Sequence, residues 1–214
     1  EGLLEGVMLD MAGIGLSCSR ESLSAASQLV DHLSNKMPES SANIFDLGVD
    51  PLGELLSKSL ESNEFESYLA GSALLAAQVS NSFPQATTFR INGLKYAQIG
   101  ADTVTEIAGV LSTFVVYLRA MEKAGVEMKI ALKQCLIVVS IGTDQFLDIA
   151  KLRALRLLLL NIGKACGIES FQIKIQAQTS DYLISRDDPW VNLLRTTVGC
   201  FSAATGGADI ISIP

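Results

Sequence analysis

Residues 137–167 read as one strand followed at once by one helix, and that unit constrains the fold more than any other stretch. Ile137-Val138-Val139-Ser140-Ile141 is a short β-branched run, long enough for a strand and too short for a helix. Gly142 and Thr143 break it, and Thr143 or Asp144 can cap a helix by accepting orphan backbone N–H bonds. Phe146, Leu147, Ile149, Ala150, Leu152, Leu155, Leu158, Leu159 and Ile162 then form a wide apolar stripe. Lys151, Arg153 and Arg156 fall between them and read as a solvated face or as partners of Asp148, with anion binding as the other reading. Gly167 suits the C-terminal stop.

The same unit recurs along the chain. Strands are predicted at 6–11, 43–47, 87–92, 137–141, 171–177 and 208–213. Helices are predicted at 20–36, 55–60, 64–79, from 102 or 103 to about 124, 144–166 and 190–204, with a short extra one at 127–135. Residues 48–53 and 93–100 read as turn-rich loops, the second as a possible helix entry. Regular alternation predicts a parallel sheet with right-handed crossovers. The two closures are an open doubly wound sheet and a (β/α)8 barrel, and a barrel needs two more strands. A chain that begins without Met and ends on a strand reads as a fragment.

Composition removes several classes. Hydrophobic residues make up 49% and charged ones 18%, which excludes a disordered chain. A net charge of −7 without a basic run argues against nucleic acid. The apolar clusters at 155–162 and 108–116 are shorter than the roughly 18 residues of a membrane span. The first residues have neither a basic n-region nor an apolar h-region, so the expected location is cytoplasmic. Cys18, Cys135, Cys166 and Cys200 contain no CxxC pair and read as buried free thiols. His32 is the one histidine, on a predicted helix, so no metal site is expected.

In either closure the active face lies at the C-terminal ends of the strands. The residues there are Asp10, Asp46, Asp50, Asn92, Lys95, Ser140, Asp144, Gln178, Thr179, Ser180 and Asp181. Gly13-Ile14-Gly15 hints at a dinucleotide loop, but Cys18 stands where the third glycine belongs. No GxSxG, P-loop or HExxH is present. Lys95 lies just past a strand end and suits a Schiff-base lysine, as in a generic barrel lyase. Trp190 is expected to pack its helix against the barrel.

Three segments together resemble the methylmalonyl-CoA mutase family of cobalamin-dependent acyl-CoA mutases. They are DQFLDIAKLRALR at 144–156, AQTS at 177–180, and RDDPWVNLLRTT at 186–197 closing with GGAD at 206–209. GVDPLG at 48–53 and GAD at 100–102 are similar to the small-subunit branch. The resemblance implies a partial (β/α)8 barrel of about six of eight units, the third to the eighth. Residues 1–214 would be a fragment of the substrate barrel, without the cobalamin domain. It implies a complex that isomerises methylmalonyl-CoA to succinyl-CoA with adenosylcobalamin, and a catalytic large subunit as partner in a heterodimer, with a homodimer as the other possibility. No cofactor is expected to be held by this chain.

The departures matter. The family's catalytic subunit carries a tyrosine–histidine pair where this chain has Leu94 and Lys95, and an arginine for the substrate carboxylate in a region that here, between Leu60 and Pro84, has none. Losing a positioned donor costs about two to three decades of rate. Gln178 matches a family glutamine over the corrin, and Gln98 stands where the family has glutamate. The resemblance therefore implies a structural subunit with no catalytic residues of its own. Asn92, Lys95, Gln98, Ser140, Gln178 and Ser180 remain as candidates to face substrate or cofactor. The alternative keeps an active mutase of altered substrate, with Lys95 as carbonyl donor.

Overall fold

A computed structural model describes residues 4, 6–8, 13–18, 21–36, 45–57 and 60–213. The elements are β1 (Ile14–Gly15), α1 (Ser22–Lys36), β2 (Phe45–Val49), α2 (Pro51–Leu56), α3 (Phe65–Ser82), β3 (Thr87–Asn92), α4 (Gly93–Gln98), α5 (Thr103–Lys123), α6 (Met128–Ala131), β4 (Cys135–Ile141), α7 (Gln145–Ala165), β5 (Lys174–Thr179), α8 (Pro189–Gly206) and β6 (Ile210–Ser212). The sheet order is β1-β2-β3-β4-β5-β6. The pairs β1–β2, β2–β3 and β5–β6 are parallel. The architecture is α/β, six parallel strands with helices between them. Sequential strand order is that of a partial barrel, since a doubly wound sheet reverses order at a switch point.

The chain divides into two compact units. Unit 1 holds residues 1–90 and 115–136, and unit 2 holds 91–114 and 137–214. In unit 1, Phe45, Leu47 and Val49 of β2 pack with Ala26, Val30 and Leu33 of α1 and Leu75 and Val79 of α3. Phe45 meets Phe83 edge-on at 5.6 Å, and Phe89 stacks on Tyr117 at 4.6 Å. Asp50 caps α2 by accepting from the Gly53 N–H at 3.1 Å, with Pro51 in the first turn. Buried Glu54 accepts from the Ser22 N–H (3.2 Å), the Ser22 hydroxyl and the Tyr68 hydroxyl (3.0 Å). One carboxylate thereby caps α1, 32 residues away in sequence.

In unit 2, Asp144 caps α7 through the Leu147 N–H at 3.2 Å, and Asp188 caps α8 through Trp190 and Val191. The buried face of α8 is small: Gly199, Ser202, Ala203 and Gly206. A Cβ at Gly206 would stand 2.6 Å from Leu152 Cδ1, and one at Gly199 3.2 Å from the Gly142 carbonyl. The large apolar residues of α8 point the other way. Trp190 is 78% exposed, with Leu193, Leu194 and Phe201 also exposed. Trp190 therefore does not pack its helix against the barrel, because glycine and alanine make that contact.

Other expectations need correction. Val7 and Met8 are not in a strand, Leu9 to Met11 lie outside the described residues, and β1 falls in the glycine loop that follows. Ser19 and Arg20, expected at the start of α1, are also outside them. Residues 93–98 are a helix, as are 51–56. The helix expected at 127–135 is a single turn followed by a 3-10 turn at Leu132–Gln134, and Cys135 already belongs to β4. All four cysteines are free, but only Cys135 is buried, while Cys200 is exposed. Among the described residues α5 is the one helix long and apolar enough to cross a membrane. Its apolarity has a local explanation, because Val110, Phe114, Tyr117, Leu118 and Met121 are core residues.

Candidate functional site

The six candidate residues all fall in unit 2, five of them at or just after the C-terminal ends of β3, β4 and β5 and Gln98 at the end of α4. Asn92 ends β3 and caps α4, its Oδ1 accepting the Leu94 N–H at 3.1 Å. Gly93 has to be glycine. A Cβ there would lie 2.7 Å from the Val138 carbonyl oxygen and 2.9 Å from Glu106 Oε1. This close approach presses the first turn of α4 onto β4 and α5, and with it fixes Lys95. Leu94 is buried and Lys95 half-buried. Among the described residues the Lys95 ammonium has no hydrogen-bond or ion-pair partner. Gln98 is exposed, and its carbonyl accepts from the Tyr182 hydroxyl at 2.5 Å. Tyr96 lies against Gly109 and shares a 2.6 Å hydrogen bond with the Thr113 hydroxyl, which holds α4 on α5.

Ser140 is part of a buried charge cluster. Glu106 of α5 accepts from the Ser140 N–H and from the Ser140 hydroxyl, both at 2.7 Å. Lys151 of α7 donates to Glu106 Oε2 (2.5 Å), the Ser140 carbonyl (2.7 Å) and the Ser140 Oγ (2.9 Å). Lys151 is thus not on a solvated face, since it sits on the buried helical face with Asp148, Leu152, Leu155 and Leu159. A lysine in the core is tolerable only when its charge is paired and its donors are used. Next to it, Asp148 accepts from the Gly142 N–H at 2.7 Å. Its carboxyl is pushed above the usual range chiefly by burial, offset in part by that N–H and by the Lys151 charge. Arg156 does not pair with Asp148 either, and reaches Asp209 at 2.8 Å.

On β5, half-buried Lys174, Gln176 and Gln178 alternate with buried Ile175, Ala177 and Thr179. Gln178 Oε1 accepts from Gln176 Nε2 at 3.5 Å. The Ser180 N–H donates to the Ile141 carbonyl at 3.3 Å, tying the loop after β5 to the end of β4. Most other strand-end residues have structural duties. Asp46 holds the Arg90 guanidinium, with a 2.9 Å bond from Arg90 Nε, and accepts from Thr87 Oγ1 at 3.2 Å. Asp50 accepts from the Tyr117 hydroxyl at 2.7 Å. Asp144 caps α7, Thr179 is buried, Asp181 opens a short 3-10 turn, and Asp10 lies outside the described residues.

Among the described candidate residues the arrangement therefore offers an uncommitted cation, Lys95, and neutral amides at Asn92, Gln98 and Gln178. It can donate hydrogen bonds to a polar ligand. Ser140 is not poised as a nucleophile, because the lysine beside it is held by Glu106. Among the described residues no group of three His, Cys, Asp or Glu could hold a metal ion. Glu106 escaped sequence reasoning altogether. The available signal was a lone carboxylate opening the apolar face that runs through Val110, Phe114 and Tyr117.

Comparison with known proteins gives one consistent result. The family model for methylmalonyl-CoA mutase matches residues 3–213. The chain is 35% identical, over its whole length, to a protein named methylmalonyl-CoA mutase small subunit from Streptomyces virginiae, of which it covers 34%. It is 29% identical over 98% of its length to the small subunit from Propionibacterium freudenreichii subsp. shermanii, covering 32% of that protein. A large subunit from Porphyromonas gingivalis is 31% identical over 59% of this chain. The chain spans about a third of the length of the curated small subunits it matches.

Proposed function

Because this chain belongs to the methylmalonyl-CoA mutase family, we propose that it is barrel of the small-subunit type, one that supports a catalytic large subunit and does not itself turn over substrate. The activity of the complex on this reading is isomerisation of methylmalonyl-CoA to succinyl-CoA in the cytoplasm.

The observation that carries the reading is the start of α4. The catalytic pair implied by the resemblance would stand at Leu94 and Lys95. Leu94 is 5% exposed and apolar, so it fills core space and offers no donor. The substrate-carboxylate arginine is missing too. Its region corresponds to α3, where neither the helix nor its flanks contain arginine. Without a bidentate partner the carboxylate loses its charge-assisted anchor.

The family's cofactor is adenosylcobalamin, and the residues here do not fit as its holder. The histidine by which the family would hold it sits in an Asp-x-His-x-x-Gly motif, whereas His32 lies within α1 among Asp31, Leu33 and Ser34. Gln178 alone matches a residue that faces the corrin in the resemblance.

The test is direct. The chain purified alone with adenosylcobalamin and methylmalonyl-CoA is expected to form no succinyl-CoA, and to co-purify with a large subunit when the two are co-expressed. Robust turnover by the isolated chain would overturn the reading. A second reading rests on the unpaired Lys95 ammonium, which could hydrogen-bond a thioester carbonyl. It requires Lys95→Ala to abolish activity of the reconstituted complex. Activity within twofold of the parent would dismiss it.

A further inference from the structure

Within unit 1, α3 and the last turns of α5 leave a cavity of about 470 Å³ between them. Its size falls in the range of small-molecule sites, roughly 300–1,000 Å³. The gap has a sequence cause. Facing helices fill each other's grooves when their side chains interdigitate. Here the facing positions are alanines: Ala70 and Ala73 on α3, Ala120 on α5 and Ala124 just past its end. The floor is apolar, with Leu69 and Ala73 buried and Val116 half-buried.

The charge at the mouth is not symmetric. Arg119 and Lys123 stand one turn apart on the α5 side, with Glu66 on the α3 side. Two cations and one carboxylate leave a net charge of +1 around an apolar slot. Among the described residues neither Arg119 nor Lys123 has an ion-pair partner, and both side chains are exposed. Long cationic side chains can lay their methylenes along the slot and keep their charges at its mouth.

We infer that this groove binds a singly charged amphipathic carboxylate, its alkyl chain along the alanine floor and its headgroup on Arg119 and Lys123. The carboxylate accepts charge-assisted hydrogen bonds from the guanidinium and the ammonium. Glu66 disfavours a dianion by like-charge repulsion and does not oppose the alkyl chain. The site is independent of the mutase reading, which places its chemistry at β3, β4 and β5.

The test uses the whole chain, alone and in complex with a large subunit, titrated calorimetrically with dodecanoate below its micelle concentration. The comparison ligand is dodecyltrimethylammonium, which has the same tail and the opposite charge. Saturable 1:1 binding of dodecanoate is expected, tighter than the cationic analogue by about tenfold or more. Arg119→Gln with Lys123→Gln is expected to remove that preference and leave the tail's contribution. Ala70→Leu with Ala120→Leu fills the slot with good helix formers, and is expected to abolish binding while circular dichroism and the unfolding midpoint stay those of the parent. No saturable binding overturns the proposal. So does equal binding of the two amphiphiles, or undiminished binding by the filled variant. Binding to the free chain that disappears whenever the large subunit is bound identifies a protein-docking face and overturns it too.

Discussion

Two carboxylate–cation pairs, one in each unit, solve the same problem with different degrees of commitment. In unit 2, Glu106 and Lys151 have side chains 2% exposed, and Ser140 uses what hydrogen-bonding capacity they leave. In unit 1, Asp46 and Arg90 are 12% and 17% exposed, and water reaches one side of the pair. The first pair ties α5 to the β4–α7 unit, with Glu106 and Lys151 45 residues apart in sequence. The second links β2 to its neighbour β3, which the sheet already joins. A buried pair gains strong attraction but also carries the full desolvation cost of both ions, so its net stabilisation is small while the cost of breaking it is large. A pair open to water does not strand its partner when broken. Of the candidate residues, Ser140 is the one bonded to the unit 2 pair.

Substitutions convert that contrast into numbers. Lys151→Met is the most damaging, because it leaves the buried Glu106 carboxyl without its cationic partner. A loss of about 3–5 kcal/mol is expected in a urea titration. Adding Glu106→Gln should recover much of it, since the amide still accepts from the Ser140 N–H. A double variant no more stable than Lys151→Met would show that packing, and not the stranded charge, set the loss. Arg90→Ala should cost less, about 1–3 kcal/mol, because Asp46 keeps the Thr87 hydroxyl and the Gly48 N–H at 3.2 Å. Equal losses at Lys151 and Arg90 would erase the distinction between the two regions. Arg156→Ala is smaller again. That pair with Asp209 is 35% and 43% exposed, so about 0–1 kcal/mol is expected from the same titration.

The same contrast explains what the sequence made legible. The run TTFRIN gave the third strand to the residue, because β-branched and aromatic residues are concentrated there between a break and a glycine. Alternation of strands and helices carried the α/β class and the parallel sheet. Local pattern failed where tertiary contacts override it. Gly93 reads as a loop residue, but the helix starts there because only a glycine fits under Val138 and Glu106. Lys151 reads as solvated because a charge usually is, and its exception depends on Glu106, 45 residues away. Trp190 reads as core because it is large and apolar, and α8 instead turns its glycines inward. Of the candidate site, strand-end positions followed from topology alone. Which of them are engaged did not, since Ser140 and Lys95 look equally available until Glu106 is placed.

The smallest effect expected is a slope and not a single value, and it tests whether burial at the Glu106 cluster reaches its neighbour. Burial raises the Asp148 carboxyl above its ordinary 3.8, more than the Gly142 N–H and the Lys151 charge lower it. Below pH 3.8 the carboxyl is protonated in both folded and unfolded chains, and its contribution to stability is fully present. As the pH rises, the unfolded chain ionises first while the folded chain still holds its proton. Stability therefore declines from the ordinary aspartate range up through the raised folded value, and levels off above it. Asp148→Asn keeps an oxygen for the Gly142 N–H and removes the titration, so its stability should be flatter across that window. A parallel profile for parent and variant would place Asp148 in contact with water. It would also show that the dry region around Lys151 ends within one turn of α7.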